Sequence, residues 1–461
     1  MGKKISVFSL GMLIIAAIDS IRNLPMAALF GSSLIVYFIL AAVLFLFPVA
    51  LVSAQLTSAD GNKGGIYHWV YLAFGDKWAL LAIWLQWINT MIWYPTILSF
   101  LAGSLAYLID PDLANHPIYM VATINAIFWL LTVVSFKGIH FSAKISSIFS
   151  TLGTVIPMLL VILFGIVWVI GGYPVPISFN LADLVPRLQS LDNCVSLTAI
   201  MASFLGMELA GVHINDVANP QKNFPKVLLF SATFILLSML FGSLSIAVVI
   251  PENEISLVSG VMQFFQKIFE AFFQRDYIPW VVLSIVIGGV GGMFNWLTSP
   301  AKGLLHASEF GYLPKIFCRT NDKGVPLSIM VAQAIIVSVI STGMLIVPSI
   351  NTFYWFFTVL STNLYMLMYV MLFISALRLQ KLKAFQHAAF RISRSPWGLT
   401  VTALCGLIGC LITVVVGFFP PQELGIQNRI AYMSAVGLGM VVMASLSGLL
   451  ILYKQRYNAR G

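Results

Sequence analysis

The chain has 461 residues, of which 59% are hydrophobic and 9% charged, with a mean hydropathy of +0.95. A soluble surface needs about 25% charged residues, so this composition excludes a soluble enzyme, a nucleic-acid binder and a secreted disulfide scaffold. The +9 charge is then a question of membrane orientation rather than of acidic partners. Crossing about 30 Å of hydrocarbon takes about 20 apolar helical residues. Twelve stretches qualify, near 6–30, 33–55, 78–108, 117–136, 145–171, 194–215, 226–250, 277–300, 327–348, 351–377, 397–419 and 430–453. They predict an all-α membrane protein forming one transporter-sized domain over 1–461, and long non-alternating runs exclude a strand-built barrel. Gly64-Gly65-Ile66-Tyr67-His68-Trp69 predicts an amphipathic approach to the third span.

Charge placement tests the count independently. With the N-terminus inside, twenty Lys and Arg fall in cytoplasmic segments, while Arg187, Lys267, Arg275 and Arg429 fall outside. That bias places both termini in the cytoplasm. The run after Lys3-Lys4 is longer than a signal-peptide core and reads as a retained first span. Cys194, Cys318, Cys405 and Cys410 have neither metal-ligand nor disulfide spacing, and no cofactor is expected.

Three charges lie deep inside predicted spans: Asp19 and Arg22 in the first, Glu208 in the sixth. Each costs about 2.5–3.5 kcal/mol at mid-bilayer, so each should face protein or water. Pro25 removes a backbone donor and disfavours helix at Leu24, which predicts an unwound stretch from Ser20 to Leu24. Gly206-Met207-Glu208, with Ala210 and Gly211 behind, offers a second cheap break. Interruptions at corresponding places, spans one and six, point to a midplane substrate site between inverted repeats. The plainer alternatives are that Asp19 and Arg22 merely pair and that Glu208 caps a kink.

Weaker signals carry the same double reading. Thr298 and Ser299 form either a sodium site or hydroxyls bonded to their own helix. His213 is either a pH sensor or a structural histidine at the cytoplasmic end of span six. Trp84, Trp87, Trp93 and Tyr94 read chiefly as packing and interface anchors, whereas Tyr365 and Tyr369, one turn apart in span ten, are the better gate candidates.

The sixth span and its exit, Ser203-Phe204-Leu205-Gly206-Met207-Glu208 through Asn219-Pro220 to Pro225, resemble the amino acid–polyamine–organocation superfamily. Ile250-Pro251-Glu252-Asn253-Glu254-Ile255, Gly260-Val261-Met262-Gln263, Gly324-Val325-Pro326 with Gln333, and Phe419-Pro420-Pro421 are similar to its glutamate/γ-aminobutyrate antiporters. The resemblance implies twelve spans in a five-plus-five inverted repeat of the LeuT type, with helices one and six broken, and alternating access with exchange or proton-coupled uptake of amino acids. It links Glu208 to gating or proton coupling. Arg22 stands where the antiporters place a tyrosine, and Gly292 where they have a substrate-path glutamate. Their C-terminal plug is expected to be missing. A fixed guanidinium repels cationic side chains and attracts carboxylate, so polyamines, arginine and lysine are disfavoured as substrates.

The expected function is therefore transport of a neutral or acidic amino acid across a bacterial-type inner membrane. The expected substrate site comprises Asp19, Ser20, Ile21, Arg22, Asn23, Leu205, Gly206, Glu208 and Tyr365, with Glu208, Tyr369 and His213 gating or coupling protons. The expected partners are a small amino acid and the lipid bilayer, not nucleic acid. An amino-acid sensor without transport is the alternative, disfavoured because no cytoplasmic element exceeds a connecting loop. No nucleophile, metal cluster or phosphate loop accompanies the buried charges, so no enzyme is expected.

Overall fold

The computed structural model describes residues 7–60, 65–137, 151–184, 195–208, 219–273, 277–309, 311–382, 385, 388, 390–395, 397–421, 426 and 428–458. Among them the regular structure is entirely helical. Nine helices are long and apolar enough to cross a bilayer, and they coincide with the predicted spans two, four, five and seven to twelve. The other three differ for physical reasons. Span three, Asp76–Ala106, is a continuous 31-residue helix diluted by Gln86, Asn89, Thr90 and several aromatic residues. Spans one and six are interrupted.

Span one runs from Val7 to Ile18, leaves helical geometry at Asp19 and Ser20, makes a 3-10 turn over Ile21–Asn23, and resumes as Leu24–Ala28. The break is shorter and earlier than Pro25 suggested. Proline sits in the first turn of the second half, where its missing N–H costs nothing, so it starts a helix rather than ending one. In span six the helix Val195–Ala202 gives way to turns, with bonds from Ser203 N to the Ile200 carbonyl and from Phe204 N to the Met201 carbonyl. Gly206 takes φ +106°, which a side chain would strain.

The element order repeats. A broken span, a long span, a short amphipathic helix and three further spans are followed by the same series, with Ile66–Phe74 and Gly260–Phe272 as the two amphipathic helices. Five crossings per half make the halves inverted, which is the LeuT-type arrangement. Span seven, Pro220–Val249, packs on both parts of span one and on span two, while span three packs on spans four, eight, nine and ten. One contiguous apolar core joins these groups. Where spans five and eight cross, a Cβ on Gly153 would lie 2.1 Å from Gly288 Cα. Backbones meet there with no side chain between them, the usual device for close packing where lipid supplies no hydrophobic drive.

Candidate functional site

A cavity opens at the breaks of spans one and six. Span one contributes Asp19, Ser20, Arg22 and Asn23, and span six contributes Leu205. Asn89 and Trp93 face it from span three, Trp296 and Gly292 from span eight, and Tyr365 from span ten.

Asp19 and Arg22 do not pair. The Asp19 carboxylate accepts a 2.7 Å hydrogen bond from Ser238 Oγ of span seven through Oδ2. The Arg22 guanidinium donates from one terminal nitrogen to Thr96 Oγ1 and Tyr354 Oη, both at 3.2 Å, and stacks 4.9 Å from the centre of the Trp93 ring. Both charges are almost wholly buried, at 2% and 4% exposure. Neither set of bonds is complete. Asp19 Oδ1, Arg22 Nε and Asn23 Oδ1 are buried without a hydrogen-bond partner among the described residues, and all three belong to residues lining the cavity. A buried polar atom left unpaired costs about 1–3 kcal/mol, more when charged, so three at one spot mark a place built to be completed.

The 3-10 turn uses the Ser20 carbonyl for Asn23 N and the Ile21 carbonyl for Leu24 N. Ile21 is buried and does not line the cavity.

Glu208 lies beside the cavity rather than in its lining. Its Oε1 accepts from Tyr365 Oη at 2.5 Å and from Gln86 Nε2 at 3.2 Å, and its Oε2 accepts from Tyr369 Oη. Gly206 N donates to Tyr369 Oη at 2.8 Å, so the broken backbone and the carboxylate share one tyrosine. This cage ties span six to spans three and ten, and Tyr365 belongs to both cage and cavity wall. Such a cage holds a carboxylate between helices and releases it if the carboxylate or a tyrosine moves.

Thr298 Oγ1 donates to the Phe294 carbonyl at 3.1 Å, the bond to its own helix that was the plainer reading. His213 lies outside the described residues, as does the side chain of Ser299. Trp84 donates to the Met443 carbonyl of span twelve and serves packing, but Trp93 is a cavity wall and the platform for Arg22. Sequence reasoning missed Gln86, Asn89, Thr96, Ser238 and Tyr354. The signal for the first three was the spacing of Gln86, Asn89, Trp93 and Thr96, which puts them on one stripe of the helix.

Residues 5–444 match the amino acid permease family, which covers nearly the whole chain. The chain belongs to this family. An uncharacterized transporter of Legionella pneumophila is 38% identical over 430 residues, 92% of each chain. A glutamate/γ-aminobutyrate antiporter of Lactococcus lactis is 28% identical over 453 residues, 96% of this chain and 89% of that one. A probable agmatine/putrescine antiporter of the same species is 24% identical over 424 residues, 91% and 89% of the two. This permease is thus a multi-pass membrane protein of the amino acid–polyamine–organocation superfamily, built for a small-molecule substrate. The cavity at the two breaks is where buried polar atoms of Asp19, Arg22 and Asn23 are left unpaired among the described residues.

Proposed function

We propose that this permease carries a neutral or acidic amino acid by alternating access, as an exchanger or coupled to protons, with residues 1–461 acting as one transporting unit in a bacterial inner membrane. Both termini then face the cytoplasm, in keeping with the Lys and Arg distribution. The observation that carries the reading is the set of unpaired atoms on one cavity: Asp19 Oδ1, Arg22 Nε and Asn23 Oδ1. One buried donor with a full charge suits a substrate carboxylate. Two acceptors, one charged, suit an ammonium. The α-carboxylate and α-ammonium of an amino acid supply that complement within one small group, while a diamine leaves Arg22 unanswered.

In this reading Arg22 grips the carboxylate, and Asp19 with Asn23 holds the ammonium. Ser20 and Leu205 flank the bound end, and Gly206 lets span six turn beside it. Glu208 works the gate through Tyr365 and Tyr369, or passes a proton when that cage opens. Sodium has no assigned role in this reading.

Counterflow of labelled amino acids into proteoliposomes preloaded with unlabelled amino acid tests the proposal. Transient accumulation above equilibrium is expected for at least one neutral or acidic amino acid. Binding without accumulation identifies an amino-acid sensor instead and overturns the transport reading.

A further inference from the structure

Spans three and ten lie side by side and are joined by three polar rungs. At one end Arg22 bonds both Thr96 and Tyr354; in the middle Ser361 meets Asn89; at the other end Gln86 meets Tyr365 at 3.3 Å. As the number rises on one helix it falls on the other, the register of an antiparallel pair. The outer rung serves Arg22 and the inner rung serves Glu208. The middle rung serves neither, yet Asn89 lines the cavity.

Ser361 Oγ donates its one proton to Asn89 Oδ1. Its neighbour Thr362 spends its proton on the Thr358 carbonyl of its own helix, as hydroxyls in helices commonly do. With Oδ1 held by Ser361, the two N–H bonds of the Asn89 amide are left for the cavity. Asn89 also stands four residues from Trp93 along the helix, about 6 Å, on the side away from Thr96. Trp93 is the ring over which Arg22 lies.

We infer that Asn89 is a specificity-determining residue: its side-chain N–H donates to an oxygen on the substrate's side chain, about three or four bonds beyond Cα. This inference rests on the amino-acid reading above and deepens it to a substrate class. Among the described residues Arg22 and Asp19 are the only charged ones in the lining, and the two ends of the amino acid answer them. Apart from Ser20, Asn23, Asn89, Thr154 and Tyr365, the rest of the lining is apolar, aromatic or bare glycine. A second carboxylate there has a donor but no counter-charge, and burying it unpaired is costly. A carboxamide brings the same oxygen without the charge. The class selected is therefore amino acids with a neutral, oxygen-bearing side chain, glutamine and asparagine first.

The test is competition against counterflow of a labelled substrate by glutamine, glutamate and norleucine, the last close to glutamine in length but lacking its polar end. Wild-type protein at pH 7 is expected to favour glutamine over norleucine by about tenfold or more, the usual effect of leaving a buried donor unpaired, and to favour glutamine over glutamate. Asn89→Leu should collapse the glutamine-to-norleucine ratio. Asn89→Asp, nearly isosteric, replaces the donor by an acceptor and should collapse it too, so one misfolded variant does not decide the matter. Ser361→Ala frees the Asn89 oxygen and should narrow the ratio in part. Equal competition by glutamine and norleucine in the wild type, or a ratio unchanged in a monodisperse Asn89 variant, overturns the inference while leaving transport intact. No counterflow of any amino acid overturns the transport reading with it.

Discussion

Replacing Arg22 probes the site most directly, because its surroundings separate a binding role from a structural one. Its two acceptors do not depend on it for their own protons: Thr96 Oγ1 donates to the Trp93 carbonyl at 2.7 Å, and Tyr354 Oη donates to the carbonyl of residue 22 at 3.4 Å. Arg22→Ala therefore strands no donor. It removes the stacking on Trp93, worth about 0.5–2 kcal/mol, and two bonds to neutral oxygens, so the protein should remain folded. Binding loses more. A charge-assisted bond from Nε to substrate carboxylate is worth about 1.5–3 kcal/mol, which raises KM about 10- to 150-fold at 1.4 kcal/mol per decade. Arg22→Lys should recover little of this, since an ammonium reaching Thr96 or Tyr354 offers no second donor in the plane of the fork. The assay is initial uptake rate against substrate concentration in proteoliposomes, with monodispersity on size exclusion as the folding control. The double variant Asp19→Ala/Arg22→Ala decides the mechanism. Because Asp19 is bonded to Ser238 and not to Arg22, the two losses should add, and the double variant should transport no better than either single one. Recovery of transport in the double variant would mean that the two charges matter only to each other, and the binding assignment would fail.

The remaining expectations are narrower. Glu208→Gln keeps the shape of the carboxylate but not its titration, so the pH profile of uptake should flatten; a wild-type profile in that variant would make Glu208 purely structural. Gly288→Ala places a Cβ 2.3 Å from the Gly153 carbonyl carbon, so the variant should lose about 1–3 kcal/mol and melt lower in a thermal size-exclusion assay, whereas Gly448→Ala, with nothing within 4 Å, should not. At the N-terminal end of span three, the Tyr312 hydroxyl foremost, and then Lys454, hold the Asp76 carboxyl below the usual carboxylate range. A lowered folded-state pKa gives stability that is present above the ordinary carboxylate pKa and fades as pH falls through the lowered value. Lys454→Met should accordingly lower Tm at pH 7, and less so near pH 3; an equal loss at both would point to lost packing instead.

Much of the fold was legible because membrane crossing is a strong constraint on sequence. Apolar length placed the spans, and deep charges marked the two breaks. The details of those breaks were not legible. Pro25 reads equally as a helix breaker or a helix starter, and only the geometry of Asp19 and Ser20 decides between them. The partners of buried charges were also hidden. Asp19 and Arg22 are three residues apart, the spacing of a helical ion pair, but the chain is not helical between them. Each charge turns instead to a distant span, Asp19 to Ser238 and Arg22 to Thr96 and Tyr354. Periodicity says which face of a helix is polar, not which helix it meets.

The three spans that do not stand out as long apolar helices supply all three buried charges around the cavity, beside walls from spans five, eight and ten. Span one supplies Asp19, Arg22 and Asn23, span six supplies Leu205 and Glu208, and span three supplies Gln86, Asn89 and Trp93. The coincidence has a physical cause. A polar substrate at the midplane needs donors and acceptors there, and each one either interrupts a helix or replaces an apolar residue in it. Span three pays in composition and stays whole, because it must bridge from Arg22 to Glu208; spans one and six pay in continuity, because their broken ends bring charge to the cavity. Under the proposed alternating access, the two breaks move against the continuous span three, to which Thr96 and Gln86 tie Arg22 and Glu208. On that argument, proline placed inside the unbroken helix between Gln86 and Asn89 should harm transport more than stability, whereas the same change in the lipid-facing part of span twelve should do the reverse.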